Sequence, residues 1–324
     1  MRVVRGHDFE HLQLAASVLT IGNFDGVHRG HRQIIAQAGL LAADRDVPVA
    51  VLTFEPHPLG VVGSRRRPLR LTLGEEKITQ LAHTGADIIV VADSTPALLG
   101  LTAEAFIDEI VVPRFHPTHV VEGASFGFGR GRTGTTELLR QLGRASGFET
   151  FVVEPVRLQV EGDEAALVSS SLIRRLLQDG RVHRAELCLG RPYTLVGTVG
   201  VGAARGAGLG FPTANVESPG QLIPGEGVYA GEVHLSGTSY AAAVSIGTAP
   251  TFDGSVSRVE AHLLDFDGNI YDRPIRLDFH RPLRAQKTFA SKNELVEQIT
   301  EDVARVRHLY HERTVVLGQS EVLP

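Results

Sequence analysis

The sequence predicts an α/β domain built on a doubly wound parallel sheet, followed by a small antiparallel β-barrel with a C-terminal helix. Three observations carry this prediction. Across residues 15–185, short β-branched apolar runs alternate with segments of helical period. Past residues 186–191 the alternation stops, and short strands follow one another through turns with no helix between them. Near the end, Leu295, Ile299, Val303, Val306 and Leu309 fall on one face of a helix predicted over 293–312. The predicted domains span 1–187 and 188–324.

The first element is a buried strand, Val18 to Ile21, closed by the turn-forming run Gly22-Asn23-Phe24-Asp25-Gly26. A helix predicted from Arg32 places Ile34, Ile35 and Ala38 on one side. Strand, glycine turn and helix start make an anion-binding corner, where unpaired backbone N–H groups and the helix dipole meet phosphate. His28 and His31 sit there three residues apart, on one face of a first helical turn. Such imidazoles donate to phosphate oxygens and stabilise charge growing during phosphoryl transfer. No third ligand of the HExxH kind accompanies them, which argues against zinc. No Gly-Lys-Ser/Thr follows, so the loop is not a Walker A loop.

A second strand, Val49 to Phe54, ends at Glu55-Pro56-His57-Pro58 on the sheet's carboxyl edge, where ligands gather. A helix over 75–81, a strand over 87–91 and a helix over 102–110 with Thr102 as N-cap come next. The strand Thr118 to Val121 leads into the loop Glu122 to Arg130, and a helix over 136–142 precedes a strand over 149–154. Ser169, Ser170 and Ser171 then open a helix whose apolar positions are Leu172, Ile173, Leu176 and Leu177. Capping alone accounts for the serines; hydroxyls, helix N-terminus and Arg174 together also suit a triphosphate.

In the second domain the predicted strands are 193–199, 227–234, 240–247, 259–265 and 275–279. A glycine-rich stretch holding Gly206, Gly208 and Gly210 runs into Phe211-Pro212-Thr213-Ala214-Asn215. Glu260 and His262 share one face of their strand, where a carboxylate is often merely solvent-facing.

With 43% hydrophobic residues, 21% charged residues and a net charge of −5, the composition is that of an ordinary globular chain. It argues against nucleic acid as a partner; Arg65-Arg66-Arg67, just before Pro68, reads as a solvated loop. A single cysteine, Cys188, excludes an intrachain disulfide and a cysteine-based metal site, and fits a reducing cytoplasm. The N-terminal residues lack the apolar core of a signal peptide, and no apolar run reaches membrane-spanning length. A cytoplasmic protein without a membrane partner is expected. Oligomeric state is not encoded in any pattern here.

Gly22-Asn23-Phe24-Asp25-Gly26-Val27-His28-Arg29-Gly30-His31 resembles the HxGH signature of nucleotidylyltransferases, in the GNFDGVH form of prokaryotic bifunctional riboflavin kinase/FAD synthetases. Phe54 to Pro58 resembles the family's FxPHP, residues 123–129 its GxDFxFG, and residues 168–174 its ISSTxIR. In the second half, PTAN at 212–215, Val259 to Asp265 (VExHLLDF) and the Arg284–Phe289 segment (LRxxxKF) match in family order. Among the departures, Ser125 stands for Asp or Asn, Ser171 for Thr, and Ser245 for the Asn of an NIG segment.

The resemblance implies two reactions, FMN from riboflavin and Mg-ATP in the second domain, and FAD with pyrophosphate from FMN and ATP in the first. It implies ATP binding by Gly22, Asn23, Phe24, Asp25 and Ser169 to Ser171, with His28, His31 and Arg174 as catalytic groups. For the flavin it implies Phe54, His57, Ser125 and Phe126, and in the kinase Arg284 and Phe289. Gly206, Gly208, Gly210, Pro212, Thr213 and Asn215 would hold the kinase ATP. Thr213 and Asn215 would hold Mg²⁺, an assignment that suits a hard cation, and Glu260 would be the general base. The alternatives are a chain retaining one of the two activities, or a regulator that binds flavin nucleotides without turnover.

Overall fold

In the computed structural model, residues 1–61, 69–160, 162, 164–201, 207–251 and 254–320 are described. Arg65 to Arg67 and Gly206 lie outside them. The first sheet contains β1 (Arg2–Arg5), β2 (Ser17–Ile21), β3 (Val49–Glu55), β4 (Ile88–Asp93), β5 (Pro117–Gly123) and β6 (Glu149–Val153), all parallel, in the order β1-β4-β3-β2-β5-β6. Near-continuous apolar runs form the central strands β2, β3 and β4 because both their faces are covered. Leu19, Ile21, Leu52, Val90 and Val120 meet Phe106, Phe115, Phe128 and Phe148 on one face. Val18, Val51, Ile89, Val91 and Val121 meet Ile35, Ala38 and Leu81 on the other. The strand order reverses between β2 and β5, and the carboxyl end of such a switch point is where an open α/β sheet leaves a crevice.

The helices around this sheet are α1 (His7–Glu10), α2 (Arg29–Ala43), α3 (Pro58–Val61), α4 (Gly74–Ala82), α5 (Pro96–Gly100), α6 (Ala103–Phe106), α7 (Val112–Phe115) and α8 (Thr136–Ser146). Thr102 caps α6 as predicted, its Oγ1 accepting from Ala105 N–H at 3.1 Å. The segment runs on past Ile110, through a π-turn at Ile107–Val111 into α7. Strand β1 was not predicted: four residues with one buried side chain, Val4, give no period to read.

A short ribbon, β7 (Arg157–Leu158) with β8 (Ala166–Leu167), leads to α9 (Ser170–Gln178) and α10 (Val182–Leu189). The chain divides into two compact units, Met1–Ser170 and Ser171–Pro324. The second unit closes a barrel from β9 (Tyr193–Gly200), β10 (Ala214–Glu217), β11 (Gly227–Leu235), β12 (Thr238–Thr251), β13 (Gly254–Leu263) and β14 (Pro274–Arg284). Its antiparallel order is β10-β13-β12-β11-β14-β9, closed by β9 against β10. The C-terminal helix α11 (Lys292–Ser320) buries Val306 against Val228, Ala230, Ala241, Leu264 and Leu283. Strand β10 was also missed, because four residues beside a glycine-rich loop show too little alternation. Among the described residues no helix is long and apolar enough to cross a membrane.

Candidate active sites

From Ile21 the backbone turns through left-handed conformations at Phe24 (φ 46°), Gly26 (φ 89°) and Val27 (φ 41°). Phe24 and Val27 adopt them at a steric cost, and buried hydrogen bonds offset it. Asp25 Oδ1 accepts from Leu71 N–H at 2.9 Å and Thr72 N–H at 3.1 Å. Thr72 Oγ1 accepts from Gly26 N–H at 3.0 Å, and Ser170 Oγ–H donates to Asp25 O at 2.8 Å. Thr53 Oγ1–H donates to Asn23 O at 3.3 Å. Asp25 and Phe24 are buried, so both support the turn from within.

Helix α2 begins at Arg29, three residues before the predicted start. His28 is its N-cap: Nδ1 accepts from His31 N–H at 3.4 Å, a role usually filled by Ser, Thr, Asp or Asn. With Nδ1 accepting, a neutral His28 carries its proton on Nε2. Rather than merely sharing a helix face, the two rings stack, centroids 3.6 Å apart and planes 17° apart. Phe24 meets the His31 ring edge-on at 5.2 Å. Gly30 makes room for the stack, since a Cβ there would stand 3.2 Å from the His28 ring. Burial first, then the neighbouring His28, holds the His31 pKa well below the ordinary histidine value. Its Nδ1 is buried without a hydrogen-bond partner among the described residues. The stacked ring pair at the first turn of a 15-residue helix is suited to accept or donate protons beside a bound anion.

Near the predicted flavin positions, Phe54 packs against the sheet core and His57 Nδ1 accepts from Leu59 N–H at 3.3 Å. Phe126 stacks on Phe128 at 5.5 Å, and Ser125 is exposed, its carbonyl accepting from Arg132 Nη2 at 3.2 Å. Ser169 and Ser170 close the first unit, whereas Ser171 and Arg174 belong to the second.

Two features at the sheet's carboxyl edge escaped the sequence reading. Glu55 bonds Arg70 through both oxygens, at 2.5 and 2.6 Å, and Lys77 Nζ at 2.8 Å. Burial pushes the Glu55 carboxyl up, but Arg70 and Lys77 prevail and hold it below the usual range. Burial lowers Lys77 in spite of Glu55. Glu122, at the end of β5, is 3% exposed and accepts from Ile21 N–H at 2.6 Å. Both are isolated charges in or after apolar strands, and that was the only available signal.

In the second unit the ladder sets Asn215 opposite Glu260 and Glu260 opposite Ser245. Cross-strand partners share a sheet face, so these three polar side chains form one row while Ala214, Val216, Val259, Ala261, Val244 and Ile246 are buried. His262 Nδ1–H donates to Pro212 O at 2.8 Å, with Phe211 edge-on to its ring at 5.5 Å, which fixes the entry to Thr213 and Asn215. Gly208 lies in a 3₁₀ turn, Ala207–Leu209, and Gly210 follows with φ 87°. Glu260 Oε1 is 3.8 Å from Arg258 Nη1. At the departing position, Ser245 Oγ accepts from Gln286 Nε2–H at 2.9 Å. Arg284 directs its fork onto Asp302 of α11, at 2.7 to 3.2 Å, and lies 5.7 Å from the Phe289 ring centre.

One unit thus carries a stacked histidine pair at a helix start, and the other a carboxylate in line with an amide and a hydroxyl. A family model described as FAD synthetase matches residues 11–171, and one described as riboflavin kinase matches residues 189–310. The bifunctional riboflavin kinase/FMN adenylyltransferase of Escherichia coli (strain K12) is 36% identical, over 96% of this chain and 98% of its own. That of Bacillus subtilis (strain 168) is 33% identical, over 93% and 95%. A solved structure described as a macrolide-efflux protein from Streptococcus pneumoniae is 27% identical with a TM-score of 0.83, covering 94% of this chain and 98% of that one. The chain belongs to the bifunctional riboflavin kinase/FMN adenylyltransferase family, and it is a transferase.

Proposed function

We propose that the chain converts riboflavin to FMN and FMN to FAD, the first reaction in residues 188–324 and the second in residues 1–187. The observation that carries this reading is the near-full-length match to relatives named for both activities, with both side-chain constellations present in one chain.

In the kinase reaction a ribityl hydroxyl oxygen attacks the γ-phosphorus of ATP, and ADP leaves. Glu260 takes the hydroxyl proton, standing in the row that holds Asn215. Pro212, Gly208 and Gly210 border the nucleotide, and Arg284 and Phe289 the flavin end. Thr213 and Asn215 offer a hydroxyl and an amide oxygen, donors that fit Mg²⁺, which supplies charge neutralisation at the phosphates when bound.

In the adenylyl transfer an FMN phosphate oxygen attacks the α-phosphorus of a second ATP, the α–β bridging bond breaks, and pyrophosphate leaves. Nucleophile and leaving group are both already ionised, so the protein's part is positioning and charge stabilisation. His28 Nε2–H, His31 and the start of α2 face that charge; Ser169 and Ser170 grip the triphosphate. Gly22 and Asn23 line the turn over Phe24 and Asp25. Phe54, His57, Ser125 and Phe126 receive the isoalloxazine. Riboflavin, FMN and ATP are the partners of this cytoplasmic enzyme, with neither nucleic acid nor membrane among them.

Labelled ATP tests the reading. Label at the γ-phosphorus should pass from ATP to FMN when riboflavin is supplied, and label at the α-phosphorus should pass to FAD when FMN is supplied. Recovery of α-label only in AMP would contradict it.

A further inference from the structure

Glu122 has no place in the reactions as described, yet it sits at the point where the sheet opens. The β2–β5 ladder pairs Val18 with His119 and Leu19 with Val120. Two residues further on, the Glu122 side chain is the acceptor for Ile21 N–H, at 2.6 Å. Ile21 is the last residue of β2, immediately before the Gly22–Gly26 turn that leads to His28.

We propose that Glu122 is a positioning residue of the adenylyl-transfer site: its carboxyl, bonded to Ile21 N–H, fixes the end of β2 and thereby the turn that presents His28 and His31. The proposal rests on the function proposed above. A backbone carbonyl would bind Ile21 N–H equally well but would bring β5 against β2; a side chain bridges the strands while leaving them splayed. Leu19 and Ile21 of β2 and Val120 of β5 belong to one apolar core cluster, and by strand alternation Glu122 lies on the Val120 face. An ionised carboxylate among such residues is strongly disfavoured. Burial accordingly raises the Glu122 pKa well above the ordinary carboxyl value, and the Ile21 N–H is the opposing influence. Among the described residues no charged side chain acts on it. With the carboxyl protonated, the second oxygen carries a hydroxyl and needs no cation to balance it.

Two isosteres separate this role from a purely structural one. Glu122→Gln keeps a neutral acceptor for Ile21 N–H, whereas Glu122→Leu fills the space and leaves that N–H unpaired. The full-length protein and both variants would be assayed for FAD formation from FMN and for FMN formation from riboflavin, from neutral to alkaline pH. An infrared difference spectrum would seek the carbonyl band of a protonated carboxylic acid. Glu122→Leu should lower kcat for FAD formation by roughly 10- to 100-fold, the size of effect expected from a small misplacement, with KM for ATP little changed and FMN formation intact. Glu122→Gln should restore most of that kcat and flatten the alkaline decline of the unmodified protein. The band at neutral pH should be present in the unmodified protein and absent from Glu122→Gln. Equal kcat in Glu122→Leu and the unmodified protein, or no protonated-acid band, would overturn the proposal. Failure of the unmodified protein to form FAD would instead overturn the function on which the proposal rests, and the infrared band reports on the carboxyl whichever way that falls.

Discussion

His28 and His31 stack with their ring centres 3.6 Å apart, and the His31 N–H is held by the His28 ring. The two rings are therefore one electrostatic unit: a proton on one opposes a proton on the other. Burial keeps His31 neutral where free histidine begins to charge.

This pair makes the stability of the first unit pH-dependent with a definite sign. Unfolded His31 takes up a proton near pH 6.5, and folded His31 does so only well below that value. The unfolded state binds more protons in between, so His31's contribution is complete above about pH 6.5 and is lost as pH falls towards the folded value. Thermal unfolding between pH 8 and 5 should show this decline, and His31→Gln should show a shallower one.

Capping and chemistry can be separated at His28. His28→Ala should cut FAD formation by on the order of 10²–10⁴-fold and destabilise the first unit by about 1 kcal/mol through the lost cap. His28→Asn should lose the same activity yet retain the stability, because an amide oxygen caps α2. FMN formation should be unchanged in both, as read by separate assays of the half-reactions.

Glu260→Gln should give the opposite pattern. The amide keeps the cross-strand row but cannot take a proton, so FMN formation should fall by on the order of 10²–10⁴-fold. FAD formation from supplied FMN should stay within about twofold of the unaltered chain, since that reaction is assigned to other residues.

The Arg284–Asp302 pair is a structural prediction. Asp302 is 4% exposed and Arg284 17% by side chain, and the carboxylate accepts from both Nε and Nη2 of the guanidinium. Asp302→Ala leaves a largely buried guanidinium without its carboxylate and should cost about 3 kcal/mol. Urea unfolding of the full chain would read this as a lower midpoint for the barrel transition.

What the sequence revealed was local. The Gly22–His31 turn, the Thr102 cap and the strand runs at 18–21, 49–54 and 118–121 were legible because neighbouring residues determine them. The early start of α2 was not, since histidine is absent from the usual N-cap repertoire. Strands β1 and β10, four residues each, were too short to show a period. Partners distant in sequence were invisible: Glu122 to Ile21 spans 101 residues, and Asp25 to Leu71 spans 46. The same holds for the pairing of Arg284 with Asp302 on α11. The row of Asn215, Glu260 and Ser245 needed the barrel's register, which alternation within single strands does not supply.

The most direct test is product analysis of the purified chain by chromatography, with Mg-ATP and either riboflavin or FMN. FMN and ADP from riboflavin, and FAD and pyrophosphate from FMN, are the predicted products. Flavin that binds but returns unchanged, with no ATP consumed in either mixture, would contradict the account.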